Sequence, residues 1–205
     1  MRRSPLAVMV RRSDFDDFRL RSHRSAFIAS LAADPSLDVT VWCTDFARSL
    51  TGPLDIEEGS GRLRRMLGVP PEVGVNSLRA WTLKPEFLVT CLAVKWMAGP
   101  TAARPQAVVG FGVETEGYLA GALGRVLGVP AAVAASEDAL RKGWTRRARQ
   151  LVRWNVLVMA GSEAVAARWA QRGVRALFTN GPTEEARWGR LGQALTRRLL
   201  RPGQA

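Results

Sequence analysis

Between Ala107 and Gly181 short apolar runs and helix-length segments alternate with hardly a break, and each join carries a turn residue. Ala107-Val108-Val109-Gly110-Phe111-Gly112 reads as a buried strand that breaks on glycine. Thr115 to Leu127 reads as a helix stopped by Gly128, and Val129-Pro130 leads into the apolar run Ala131 to Ala135. The unit repeats: a basic helical stretch from Ala139 to Trp154, a strand at Val156 to Met159, and a helix from Ala164 to Gln171 opened by Gly161-Ser162-Glu163. Gly173 ends that helix, and Ala176 to Thr179 forms one more strand, closed by Asn180-Gly181.

Strands separated by helices of ten or more residues must pair in parallel through right-handed crossovers, which lays helices on both faces of the sheet. The expected class is α/β, a Rossmann-like parallel sheet of about six or seven strands. Ligands of such sheets sit at the carboxyl ends of the strands. The loops of interest are therefore Arg11 to Asp17, Thr44 to Phe46, Gly112 to Glu116, Ser136 to Asp138, Gly161 to Glu163 and Asn180-Gly181.

The first half of the chain is less regular. Leu6 to Val10 reads as a strand, Phe18 to Ala33 as a helix stopped by Asp34-Pro35, and Val39 to Trp42 as a second strand ending at Cys43. From Thr44 to Gly74 the pairs Gly52-Pro53 and Pro70-Pro71 mark an irregular surface excursion around a short basic helix at Arg62 to Leu67. Val73 to Leu78 is a candidate third strand, and Glu86 to Ala98 a buried helix. The expected division is a domain over residues 1–181 followed by a basic amphipathic helix over 182–205, in which Trp188, Leu191, Leu195 and Leu199 form one apolar stripe.

Composition narrows the setting. The formal net charge is +12, and only Lys84, Lys95 and Lys142 are lysines, so arginine carries nearly all of the positive charge. Arginine-rich, alanine-rich usage is partly what a GC-rich coding sequence produces, but an excess this large also attracts polyanions. Cys43 and Cys91 have no paired spacing and read as buried thiols in a reducing cytoplasm. His23 is the lone histidine, so no metal site is expected, and no cofactor either. The apolar stretch Leu6 to Val10 is too short for a signal peptide, and Phe87 to Ala98 falls short of the roughly 20 residues that cross a bilayer. A cytoplasmic protein is expected.

The opening strand, polar loop and helix, followed by Asp38 to Cys43, resemble the start of the GT-B glycosyltransferases of family 4. The Gly-Val-Pro turn within Val108 to Ala134 and the Ser-Glu helix start, Gly-Val and Asn-Gly within Val156 to Gly181 extend the resemblance over Leu6 to Gly181. It implies the acceptor-side, amino-terminal domain of an enzyme that moves a sugar from a nucleotide donor to a hydroxyl. Such a domain is inactive alone, because the nucleotide-sugar donor is held only with a second domain or a partner subunit.

Three departures from the family stand out. The loop after its fourth strand usually carries a histidine, whereas here it reads Phe111 to Glu116 without one. The glycine pair after the first strand is replaced by Arg12 to Asp17, and the donor domain that the family places after Asn180-Gly181 is expected to be missing. The resemblance makes Glu114 the candidate catalytic base, since the attacking hydroxyl must lose a proton. It places the sugar acceptor against Ser13, Asp14, Gly112, Thr115, Glu116 and Glu137, and makes Ser162, Glu163, Asn180 and Gly181 the donor side of the cleft. These acids and hydroxyls also have a plainer use, as helix caps and first-turn charges.

Arg141, Lys142, Trp144, Arg146, Arg147, Arg149 and Arg153 make the densest basic segment, with no acid after Asp138. Such a helix can lie on an anionic membrane, here the inner face of the plasma membrane, with tryptophan at the interface. Nucleic acid is the lesser polyanion alternative, and a core-packed helix with a solvated basic face is the plainest reading. The rival to the enzyme is thus a non-enzymatic Rossmann-like module that binds a polyanion through arginine.

Overall fold

The computed structural model describes residues 3–10, 23–43, 54–56, 62–67, 104–135 and 145–200. The strands are β1 (Ser4–Val10), β2 (Leu37–Cys43), β3 (Leu54–Ile56), β4 (Arg62–Leu67), β5 (Ala107–Phe111), β6 (Ala131–Ala135), β7 (Leu157–Ala160) and β8 (Ala176–Leu177). They form one sheet in the order β3-β4-β2-β1-β5-β6-β7-β8. Every neighbouring pair is parallel except β3 with β4. The helices are α1 (His23–Ala32), α2 (Gly117–Leu127), α3 (Arg146–Arg153), α4 (Glu163–Ala170) and α5 (Glu184–Leu200), with a π-helical turn at Gly112–Glu116. This is the α/β, Rossmann-like parallel sheet that the alternation of apolar runs implies.

One expectation fails. Arg62–Leu67 is not a basic helix but strand β4, paired in parallel with β2 from Asp38↔Arg62 to Cys43↔Leu67. Its apolar residues Leu63, Met66 and Leu67 fall at helical spacing, yet the open edge of β2 offers a full row of backbone partners and wins over that weak local pattern. The excursion from Thr44 to Gly74 therefore contains the antiparallel pair β3–β4 at the rim of the sheet. The candidate strand Val73–Leu78 and the candidate helix Glu86–Ala98 lie outside the described residues.

Local chemistry sets the joins. Asp34 ends α1 by accepting from the Ser36 amide (2.9 Å) and hydroxyl (2.6 Å), an Asx turn that delivers the chain into β2. Gly128, at φ 67°, closes α2, and the Val129 amide donates to the Gly124 carbonyl at 2.9 Å. Thr145 caps α3 by accepting from the Ala148 amide, Ser162 caps α4 by accepting from the Val165 amide, and Gly173, at φ 76°, follows the end of α4. Thr183 does the same for α5, accepting from the Ala186 amide at 3.1 Å.

The order of the strands reverses between β1 and β5, and the helices divide accordingly. α1 packs on one face, with Phe27, Ile28 and Leu31 against Leu6, Val8, Leu37 and Val39. α2 covers the opposite face over Ala7, Met9 and Val108, while α3 and α4 bury Leu151, Val165 and Trp169 beside Val133 and Val158. Right-handed crossovers on both sides of the reversal require this opposition, so among the described residues α1, α2, α3 and α4 do not cover the α1 face above β5, β6 and β7. α5 fills the gap. Its Trp188, Leu191 and Leu195 join Phe111, Ala134, Leu157 and Met159 in the same cluster as α1. The stripe seen in sequence over 182–205 is thus core.

α5 lies against α1 because two small residues meet there. A methyl on Gly192 would strike Ser30, whose hydroxyl is turned back onto the Phe27 carbonyl at 2.7 Å. Phe27 stands edge-on to Phe111 (5.5 Å between ring centroids) and to Trp188 (6.1 Å), so one phenyl ring links both helices to the end of β5.

Trp188→Ala should destabilise the protein by about 3–5 kcal/mol, the range for emptying a large aromatic site, and Trp188→Phe by clearly less. Urea unfolding followed by circular dichroism measures both. Equal, small losses would mean that α5 does not carry the sheet face.

Candidate functional site

The carboxyl edge of the sheet is assembled by the π-helical turn between β5 and α2, at the point of strand-order reversal. Its defining bond runs from the Gly117 amide to the Gly112 carbonyl, and Gly112 sits at φ 80°, where only glycine is unstrained. Gly110 and Gly117 permit the turn. A methyl on Gly110 would collide with the Glu116 carbonyl and come within 2.8 Å of the Ala120 methyl, while one on Gly117 would collide with the Gly112 carbonyl. The chain thereby folds tightly back over the end of its own strand, and α2 starts almost in contact with β5.

Of the residues expected at this edge, Gly112, Glu114, Thr115 and Glu116 all lie in the turn. Glu116 is carried inward and is only 6 % exposed. Ser162 and Glu163 start α4 beyond the end of β7, and Asn180 and Gly181 follow β8. The topology therefore brings these three segments to the same edge. Asn180 accepts at its carbonyl from an Arg190 Nη at 2.9 Å, and Thr179 donates its hydroxyl to the Arg187 carbonyl at 2.8 Å, so the Asn-Gly turn is tied down on α5. Ser13, Asp14 and Glu137 lie outside the described residues, as do Arg141, Lys142 and Trp144.

The basic segment behaves as a helix with two sides. Ala148 and Leu151 are buried, while Arg146, Arg149 and Arg153, three and four residues apart, are exposed. Arg147 instead lies over the Tyr118 ring at 5.2 Å, and that tyrosine donates to Gln150 Oε1 at 3.2 Å. Trp154 packs against the same tyrosine, with 5.3 Å between the ring centroids.

Sequence reading misses one contributor to this edge: the π turn leaves no periodic signal, although the glycines at 110, 112 and 117 mark it in retrospect. Trp188, which heads the apolar stripe of the last helix, has its ring 6.2 Å from Phe111 and would touch a side chain at Gly161 at 3.6 Å, placing α5 beside the ends of β5 and β7.

Among the described residues no group of His, Cys, Asp and Glu is arranged to hold a metal ion, and no helix is long and apolar enough to cross a membrane. Searched against protein-family models and curated proteins, the chain matches none.

Gly110→Ala should cost about 1–3 kcal/mol or more, because the obstructing atom is a backbone carbonyl that no rotamer change can move. Gly189→Ala is the control: a methyl there meets nothing within 4 Å, and replacing a helical glycine should add about 0.5–1 kcal/mol. Opposite signs in denaturant unfolding are the expected outcome; the same sign would refute the glycine-dependent turn.

Proposed function

We propose that the crevice at the carboxyl ends of β1 and β5 holds the hydroxyl acceptor of a sugar transfer, with a second domain or a partner subunit holding the nucleotide-sugar donor. The observation that supports this reading is the π-helical turn Gly112–Glu116 at the strand-order reversal. Wound sheets gather their ligand loops at such a reversal, and π-helical turns are frequent at functional sites.

In this reaction the acceptor oxygen forms a bond to the anomeric carbon as the bond from that carbon to the nucleoside diphosphate breaks. The acceptor proton passes to a carboxylate, for which Glu114 is our candidate. Ser162, Glu163, Asn180 and Gly181, at the same edge, border the donor side.

Two measurements test the reading. Purified protein mixed with nucleotide sugars and simple polyols should transfer no sugar, because the reaction needs two domains closed over both substrates. Titration with glycerol, inositol or glucose should nevertheless shift the amide resonances of Gly110 to Gly117 and leave those of Arg146 to Arg153 in place. Turnover by the chain alone, or shifts that avoid the turn, would defeat the proposal.

The exposed row Arg146, Arg149 and Arg153 favours a second reading, peripheral attachment to an anionic membrane at its cytoplasmic face. The protein should then sediment with vesicles containing phosphatidylserine and not with neutral ones. Replacing the three arginines by glutamine should abolish that binding. Sedimentation unchanged by the replacement would dismiss α3 as the contact.

A further inference from the structure

The edge opposite the candidate site carries a cleft of about 450 Å³, within the size range of small-molecule pockets. It lies where β6 and β7 begin and is walled by the ends of α2 and α5 and by the residues that follow α3. Arg125 comes from α2, Arg175 from the segment before β8 and Arg198 from α5, with Trp154, Asn155 and Leu199 between them. Among the described residues no acidic side chain lines it.

Two features set this cleft apart from an ordinary basic surface. Carbonyls near the ends of α2 and α3 are already occupied: the Val129 amide donates to Gly124, the Asn155 amide to Val152 and the Val156 amide to Leu151. Asn155 reaches this geometry at φ 54°, the left-handed conformation that ends many helices. Those two helix ends therefore do not depend on Arg125 or Arg175 for capping, and among the described residues none of the three guanidinium groups makes a hydrogen bond or ion pair. Compensation of helix dipoles accounts for Arg125 and Arg198 in part, but Arg175 belongs to no helix.

We propose that this cleft binds a phosphorylated small organic molecule. Three guanidinium groups supply forked donors to phosphate oxygens, the geometry in which arginine binds anions best. The half-buried Trp154 and Leu199 give the organic part an apolar wall. Three formal positive charges outweigh the partial negative charges of the helix ends that meet here, roughly half a charge each. The same phosphate chemistry is offered by a soluble metabolite and by a monomeric lipid headgroup. The cleft stands apart from the acceptor crevice, at the other end of the strands, so its fate does not depend on the sugar-transfer reading.

Calorimetric titration with inorganic pyrophosphate and, separately, with dihexanoyl phosphatidic acid kept below micelle formation tests the site. The proposal expects one-to-one binding of at least one probe, weakened roughly tenfold or more by Arg175→Gln and lost in the Arg125→Gln, Arg175→Gln, Arg198→Gln triple variant. Binding should survive glutamine replacement of Arg146, Arg149 and Arg153. Tighter binding of the short-chain lipid supports the cleft with a headgroup ligand, and tighter binding of pyrophosphate supports it with a soluble one. Arg175→Gln alone removes one exposed side chain and serves if the triple variant fails to fold. No binding of either probe, or binding unchanged in Arg175→Gln and the folded triple variant, would overturn it.

Discussion

The handedness of parallel crossovers governs this molecule. Because β1 to β2 and β5 to β6 step in opposite directions, helices that follow one hand must land on opposite faces, and the sheet's α1 face is half covered by its own crossovers. Everything at the carboxyl end of the chain answers that deficit. α5 runs back across the strands, Trp188 meets Phe27 and Phe111, and Gly192 gives α5 room against Ser30. An exposed stripe of Trp188, Leu191 and Leu195 would be an aggregation hazard; packed on β5 to β7 it becomes core.

Reversal of strand order also places the candidate site. Wound sheets form their ligand crevice at such a reversal, and here the π turn at Gly112–Glu116 sets tightly folded backbone at the end of β5. The helices α2 and α4 begin at this edge and end at the other, so the two ends of the sheet differ in kind. One end presents helix amino termini and the glycine-built turn. The other presents helix carboxyl termini and a cleft lined by Arg125, Arg175 and Arg198.

Much of this was legible because parallel strands buried on both faces are short apolar runs, and glycine or a capping hydroxyl punctuates the helices between them. β6 is read from sequence to the residue, and β5 and β7 to within one. Arg62–Leu67 was misread because its arginines hide a strand whose stability comes from pairing with β2, a contact between distant segments that no local pattern encodes. The π turn was missed because it is a shift in hydrogen-bond register, and hydrophobic periodicity does not record register. Arg125, Arg175 and Arg198 are too far apart in sequence to suggest a common cleft; only the antiparallel run of α5 beside the sheet joins them.

The position of α5 in the chain has a consequence for how the protein is made. Phe27 emerges early during synthesis, but its partner Trp188 emerges only after every strand from β1 to β8 has been translated. Until then the nascent sheet presents Phe111, Ala134 and Met159 to whatever surrounds it. The local units β5–α2–β6 and β6–α3–β7 need no such wait, whereas the contact between Phe27 and Trp188 joins segments of high sequence separation. A chain interrupted before α5 is a ready client for chaperones, even with most of its secondary structure formed.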